Sequence, residues 1–333
     1  MKIVDSFPFS EPYEKEVLLL KLILEDEGVD EWILLENAYS FQGDYTGLHA
    51  KDIIESDERF NKYKHKLKIV SKEEKTEYLP KHKFFDHISC KAEIMQRQFA
   101  YDYFIEKYSD EDWIMVSDVD EMIDFSDAAR KAELLKELKH SKEGLLKFPT
   151  KRYWYDFDNE YKNIINNVMC TKKHLMQSGK TLYEIRTDNR RVSKKKWKNI
   201  IAFEYSSCYP AEFILQKFYT GLHTGYTPND LKQALRTNQR PTSENATWKT
   251  GNNKYFFFET VKLTKRNSPR YVRENLSFYK VNNIDKNYRQ NRRTDYPDLF
   301  TMSYYLHQFM EAKKRWLNKK WKALNYKLKL NAR

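Results

Sequence analysis

Cysteine, glycine and proline are all scarce in this chain. Its 333 residues hold 8 Gly and 9 Pro, which excludes a collagen-like repeat and argues against a Pro/Gly-rich disordered chain. The three cysteines, Cys90, Cys170 and Cys208, have no spacing that suggests a disulfide framework or a zinc site. They read as reduced thiols of a cytosolic protein. No apolar run approaches the roughly 18 residues a transmembrane helix needs. The opening Met1-Lys2-Ile3-Val4-Asp5 lacks a signal-peptide pattern, so a cytoplasmic location is expected, with the sequon Asn245-Ala246-Thr247 unglycosylated. Neither a G-x-G-x-x-G fingerprint nor a P-loop is present, which weakens dehydrogenase and NTPase readings. No internal repeat is visible.

Apolar residues make up 40% of the chain and aromatics 15%, against 32% charged residues, enough for a sizeable core. Lys and Arg exceed Asp and Glu by 12. That excess favours anionic partners: phosphates, nucleotides, nucleic acid or an acidic membrane surface. Nothing matches a named nucleic-acid-binding module, so nucleic acid is not the favoured partner.

Apolar patterning predicts strands at Ile3–Phe7, Trp32–Leu35, Lys66–Val70, Trp113–Val116 and Leu145–Phe148. Helices are expected over Tyr13–Glu27, Ile88–Tyr108 and Ser126–His140, the first stopped by Gly28. Strands alternating with helices over the first 150 residues imply βαβ units and a mainly parallel sheet. A polar loop, Ala38–His49, follows the second strand.

The stretch Trp113-Ile114-Met115-Val116-Ser117-Asp118-Val119-Asp120-Glu121 concentrates the chemistry. A buried strand ends there in three carboxylates. Strand residues alternate faces, so Asp118 and Asp120 project to one side and can hold one Mg²⁺ or Mn²⁺, ions that suit oxygen ligands and leave sites for phosphate. The carboxyl ends of strands in open α/β sheets are also where ligands bind.

The second half is less regular. Arg186–Lys198 carries seven cations against Asp188, a solvated face or a grip on an anion. Thr227-Pro228-Asn229-Asp230 reads as a helix start with a capping box, and His223 lies just before it. Ser303–Lys329 reads as a basic helix with Tyr305, Phe309, Trp316, Leu317, Trp321 and Leu324 near one stripe. It can pack on the domain or lie peripherally on an anionic membrane.

Several of these stretches together resemble glycosyltransferase family 17. Ile3-Val4-Asp5-Ser6-Phe7-Pro8-Phe9 is similar to the family's first strand. Glu16-Val17-Leu18-Leu19-Leu20-Lys21 is similar to its Asp-Leu-Leu-x-x-Arg helix, with Lys21 in the Arg position. Val29–Asn37 resembles its second strand and Glu-Ser/Asn exit, and Glu93-Ile94-Met95-Gln96-Arg97 its Glu-x-x-Gln-Arg helix. Ser117-Asp118-Val119-Asp120-Glu121 matches Ser-Asp-x-Asp-Glu. Glu184-Ile185-Arg186 and Gly221-Leu222-His223-Thr224-Gly225-Tyr226 resemble later segments, with Leu222 replacing Trp and Gly225 replacing Ser.

The resemblance covers residues 1–235 and implies a GT-A nucleotide-diphospho-sugar transferase domain, an α/β fold with a twisted, mainly parallel sheet flanked by helices. Residues 236–333 would be a largely helical, basic C-terminal extension. It implies an inverting transfer of a sugar, N-acetylglucosamine in the family, from a UDP-sugar to a glycan or other hydroxyl acceptor; the membrane reading of the C-terminal helix would make that acceptor lipid-linked. Asp118 and Asp120 would bind Mn²⁺ or Mg²⁺, and His223 matches a position that often supplies a late metal ligand. Asp5, Phe7, Glu36, Asn37, Arg97, Asp118 and Arg186 would bind the donor. Inversion needs a base, for which Asp230, Asp188 and Glu184 are the candidates. Rival readings are a transferase acting on nucleic acid and a non-catalytic binding protein of the same fold.

Overall fold

The computed structural model describes residues 1–41, 43–75, 87–160, 164–187, 197–210, 213–214, 217, 234 and 259–280. The side chains of 87–90, 164–166 and 259 are not among those described, so Cys90 lies outside them. The chain divides into a unit of residues 1–284 and a second of 285–333. The expected helix at 303–329, like that beginning at Thr227, falls outside the described residues.

The first half follows the apolar pattern. β1 (Ile3–Pro8) leads through a short 3₁₀ turn into α1 (Lys15–Glu25), then β2 (Glu31–Asn37). After α2 (Ala50–Ser56) come β3 (Leu67–Lys72), α3 (His87–Lys107) and β4 (Trp113–Val116). β1 pairs in parallel with both β2 and β4, and β2 with β3. These inner strands are covered on both faces. Ile3, Phe7, Trp32, Leu34, Trp113 and Met115 pack with Leu18 and Leu22 of α1. Their alternates Val4, Ile33, Leu35, Ile114 and Val116 pack with Ala100 and Phe104 of α3. Two buried faces explain why the strands read as unbroken apolar runs.

Beyond β4 the sheet becomes mixed. β5 (Glu121–Ile123), α4 (Ala128–His140) and β6 (Leu145–Trp154) lead to β7 (Asn159–Glu160) and β8 (Ile164–Thr171). β8 runs antiparallel to both β6 and β4; toward β6 this follows from the short connection, which permits only an antiparallel return. α5 (Lys172–Ser178), α6 (Leu182–Thr187) and β9 (Ala202–Ser206) follow, and β9 pairs in parallel with β6 and antiparallel with β5. β10 (Glu259–Thr260) pairs with β7, and the short helices α7 (Arg270–Glu274) and α8 (Leu276–Tyr279) bury Val272 and Tyr279 in the same unit. No helix among the described residues is long and apolar enough to cross a membrane.

One buried side chain joins β1, α1 and the segment after β4. Lys21 is wholly buried in α1. Its ammonium meets Asp5 Oδ2 at 2.5 Å and Glu25 Oε1 at 3.3 Å. It also donates to Ser117 Oγ at 3.1 Å and to the Glu121 carbonyl. Ser117 Oγ donates to Asp5 Oδ1 at 2.7 Å, and Glu25 accepts from Trp32 Nε1 and the Ile123 amide, both at 2.9 Å. Burial works against the Lys21 charge, but Asp5 and Glu25 outweigh it and raise its pKa.

Gly28 is required by a close approach. A Cβ there would sit 2.0 Å from Cδ1 of the fully buried Phe125.

Two substitutions test this packing. Lys21→Met leaves Asp5 and Glu25 buried without their cation and is expected to cost about 3–5 kcal/mol in urea unfolding. Gly28→Ala should cost about 1–3 kcal/mol by overpacking against Phe125. A loss under about 1 kcal/mol in Lys21→Met would remove this ammonium from the architecture.

Candidate functional site

β4 stops at Val116, and the acidic stretch is a turn rather than a continued strand. The Glu121 amide donates to the Asp118 carbonyl and the Asp118 amide to Glu121 Oε2, both at 3.0 Å. The expectation that strand alternation puts Asp118 and Asp120 on one side is therefore corrected: the tight turn replaces the alternation, and the two carboxylates take different partners.

Asp118 lies between two arginines. Arg97, 2% exposed, donates to Asp118 Oδ1, to the Ser117 carbonyl at 2.7 Å and to Glu93 at 2.9 Å. Arg186, from α6, meets Asp118 Oδ2 at 2.5 Å, Glu121 at 2.6 and 2.9 Å and the Val116 carbonyl at 2.9 Å. Asp120 accepts from Lys217 Nζ at 3.2 Å, and the same ammonium reaches Tyr209 Oη at 3.4 Å. The Asp118 side chain remains 39% exposed, whereas those of Asp120 and Glu121 are buried. The cluster thus opens at Asp118, beside the carboxyl ends of β1, β2 and β4.

Burial tends to raise the Asp118 pKa, but Arg186 and Arg97 hold it well below the usual carboxylate range. Glu121 is pushed up to about 7 by burial, against the pull of Arg186 and with the Asp118 charge adding to the rise. Lys217 is held protonated by Asp120 and Glu14 against its burial.

Other expected residues take various places. Asp5 belongs to the Lys21 network, and Phe7 is wholly buried with that ammonium 4.7 Å from its ring centroid. Glu36 Oε1 accepts the amides of His49 and Ala50, and its Oε2 accepts from Ser71 Oγ at 3.0 Å. Asn37 exchanges two hydrogen bonds with the Glu74 backbone, at 2.8 and 3.0 Å. These contacts pin the loop after β2. Glu184 is exposed in a reciprocal capping box with Thr181, whose amide and hydroxyl hold its carboxyl below its ordinary pKa. Asp188, His223 and Asp230 lie outside the described residues.

Sequence reasoning missed Lys217, one Lys or Arg among 60. Glu93 entered only through the Glu-x-x-Gln-Arg likeness, although its four-residue step to Arg97 on one helix also signals their ion pair.

Oxygen donors and an open Asp118 suit a hard divalent ion. Among the described residues no group of three or more His, Cys, Asp or Glu could hold a metal. Asp118 and Asp120 are instead occupied by the chain's own cations. An ion binding there would replace some of those salt bridges.

Two backbone outliers flank the cluster. Tyr155, after β6, has φ +70° and Ser207, after β9, φ +54°. The Tyr155 amide donates to the Ser206 carbonyl at 3.2 Å, so the two left-handed residues adjoin. A bulky residue in that region is costly and is tolerated where surrounding structure imposes it, commonly at functional sites.

Glu14 is buried behind Lys217. Burial raises its pKa from 4.5 to about 7, against the Lys217 charge and the Ser10 amide. The folded state therefore holds a proton that the unfolded state releases, and stability from this group falls as pH rises from about 4.5 through 7. Unfolding at pH 5 and pH 8 should show Glu14→Gln losing less stability than the wild type over that interval. The full difference is about 3 kcal/mol. Parallel pH profiles for the two proteins would contradict it.

No protein-family model matches the sequence, and no curated protein matches it. Among solved structures, the mannose-6-phosphate isomerase from Helicobacter pylori matches at 12% identity and a TM-score of 0.29, over 53% of this chain and 73% of that one. The galactosyltransferase LgtC, solved in complex with donor and acceptor sugar analogues, matches at 11% identity and a TM-score of 0.27, over 71% and 70%. At these scores neither likeness assigns a fold family or an activity. The chain is a mixed α/β protein with a charge-compensated acidic turn at the end of its β4 strand.

Proposed function

We propose that this chain is a glycosyltransferase that takes a sugar from a UDP-sugar bound at the carboxyl ends of β1, β2 and β4. The observation that carries the reading is Asp118: a half-exposed carboxylate gripped by two arginines at a strand end where α/β sheets bind ligands. Arg97 and Arg186 already lie where they can turn from a carboxylate to a diphosphate, a geometry guanidinium suits.

Charge supports a divalent ion in this scheme. Asp118, Asp120, Glu121 and Glu93 face Arg97, Arg186 and Lys217. These are four carboxylates against three cations, and because burial pushes Glu121 up to about 7, the seven side chains carry between no charge and one negative charge near neutral pH. That is a poor seat for a diphosphate, and a divalent ion would make it positive. Mn²⁺ or Mg²⁺ on Asp118 and Asp120, with His223 as a further ligand, belongs to this proposal. Such an ion would neutralise the leaving diphosphate. Arg97 and Arg186 hold the same charge from the protein side. A base among Asp230, Asp188 and Glu184 would take the proton from the acceptor hydroxyl, giving inversion onto a glycan or other hydroxyl acceptor. N-acetylglucosamine as the sugar rests on the resemblance to family 17.

Substitution tests the reading. Asp118→Asn and Asp120→Asn should lower transfer from UDP-sugars at least about 100-fold. The fold should survive in Asp118→Asn, because Arg97 keeps Glu93 and the Ser117 carbonyl, and Arg186 keeps Glu121 and the Val116 carbonyl. Undiminished transfer by either folded variant removes the acidic turn from the chemistry.

A further inference from the structure

A cavity of about 580 Å³ lies beside the charged cluster. Its walls are unusually aromatic: Tyr13, Phe157, Tyr209, Phe213, Phe278 and Tyr279 all line it. Tyr13 stacks on Phe213 with ring centroids 5.4 Å apart and meets Tyr209 edge-on at 5.1 Å. Phe157 and Tyr279 approach to 4.7 Å. The two charged residues in the lining, Lys15 and Glu16, are both committed elsewhere. Lys15 pairs with Asp57 at 3.1 Å and Glu16 with Arg59 at 2.7 Å. Phe278 lines the cavity while 58% exposed, so one large aromatic face awaits cover.

Two features tie this cavity to the cluster. Tyr209 is shared, since the ammonium of Lys217 sits 5.0 Å from its ring centroid and reaches both its hydroxyl and Asp120. The left-handed residues Tyr155 and Ser207 immediately precede the segments that deliver Phe157 and Tyr209. The volume is that of a small-molecule site.

The lining decides the class of occupant. A nucleobase or bare sugar carries hydrogen-bonding groups around its edge, and the polar groups of this lining are mostly engaged already: Lys15 and Glu16 in ion pairs, the Tyr209 hydroxyl with Lys217 and the Tyr279 hydroxyl with Tyr271, so burying such an edge here is costly. A flat apolar ring meets no such cost and gains stacked and edge-on contacts with the aromatic walls.

We propose that the cavity binds the aromatic aglycone of an acceptor, seating the attached sugar toward Asp120 and Lys217. The role as acceptor seat rests on the glycosyltransferase reading; the affinity for a flat aromatic group does not. The full-length protein is titrated with 4-methylumbelliferyl β-D-glucoside, methyl β-D-glucoside and octyl β-D-glucoside, the last below its micelle concentration. UDP with Mn²⁺ is titrated separately.

The aryl glucoside should bind at least about tenfold more tightly than either other glucoside, and Phe278→Ala should weaken it about tenfold. The exposed position of Phe278 lets that variant keep the wild-type melting temperature. Equal binding of the methyl glucoside, tighter binding of the octyl glucoside, or undiminished aryl binding in folded Phe278→Ala overturns the proposal. UDP binding without aryl binding also overturns it while leaving the transferase reading in place. Aryl binding without UDP binding supports the cavity and rejects that reading.

Discussion

A single buried ammonium organises the carboxyl edge of this sheet. Lys21 reaches Asp5 on β1, Glu25 on its own helix, Ser117 after β4 and the carbonyl of Glu121. A buried charge of this kind is tolerated only when its partners satisfy it completely. The requirement fixes where α1 lies across β1 and where the chain turns after β4. Glu25 extends the constraint by accepting from Trp32 on β2 and from Ile123 on β5.

The acidic turn inherits its position from that network. Ser117 and Glu121 bracket Asp118 and Asp120, so holding the Ser117 hydroxyl and the Glu121 carbonyl holds both carboxylates. On the far side, Arg97, Arg186 and Lys217 neutralise them. Much of the cluster is withdrawn from water, where ion pairs are strong and an uncompensated charge is expensive. Asp118 and Lys217 remain partly open. A ligand that exchanges partners with these cations meets a prepaid arrangement, whereas one that adds charge without exchange does not.

The first half of the fold was legible because its strands are buried on both faces and therefore uninterrupted in sequence. β1, β2, β4, α1, α3 and α4 fall where the apolar pattern puts them, within a few residues. β5, β7 and β10 are two or three residues long, too short for any periodicity. β8 mixes Asn167 with apolar neighbours and so breaks the apolar run that marks the inner strands, although Asn167 is fully buried. In the site, the acidic residues were conspicuous as three carboxylates in four positions. Their geometry was not, because a turn and an extended strand share that composition. Nor was their neutralisation, since it depends on Arg97, Arg186 and Lys217 arriving from separate elements. Phe7, Glu36 and Asn37 stand out in the sequence only through family resemblance; Phe7 packs over the Lys21 ammonium, and Glu36 and Asn37 pin the loop after β2.

The central claim is that the acidic turn and its arginines exchange their mutual salt bridges for a divalent ion and a nucleotide diphosphate. Calorimetric titration of UDP into the intact protein, with Mn²⁺ and then with a chelator in its place, tests this most directly. The account predicts binding with Mn²⁺ that weakens at least about tenfold when the ion is removed. Absence of binding under both conditions, or equal affinity in both, would contradict it.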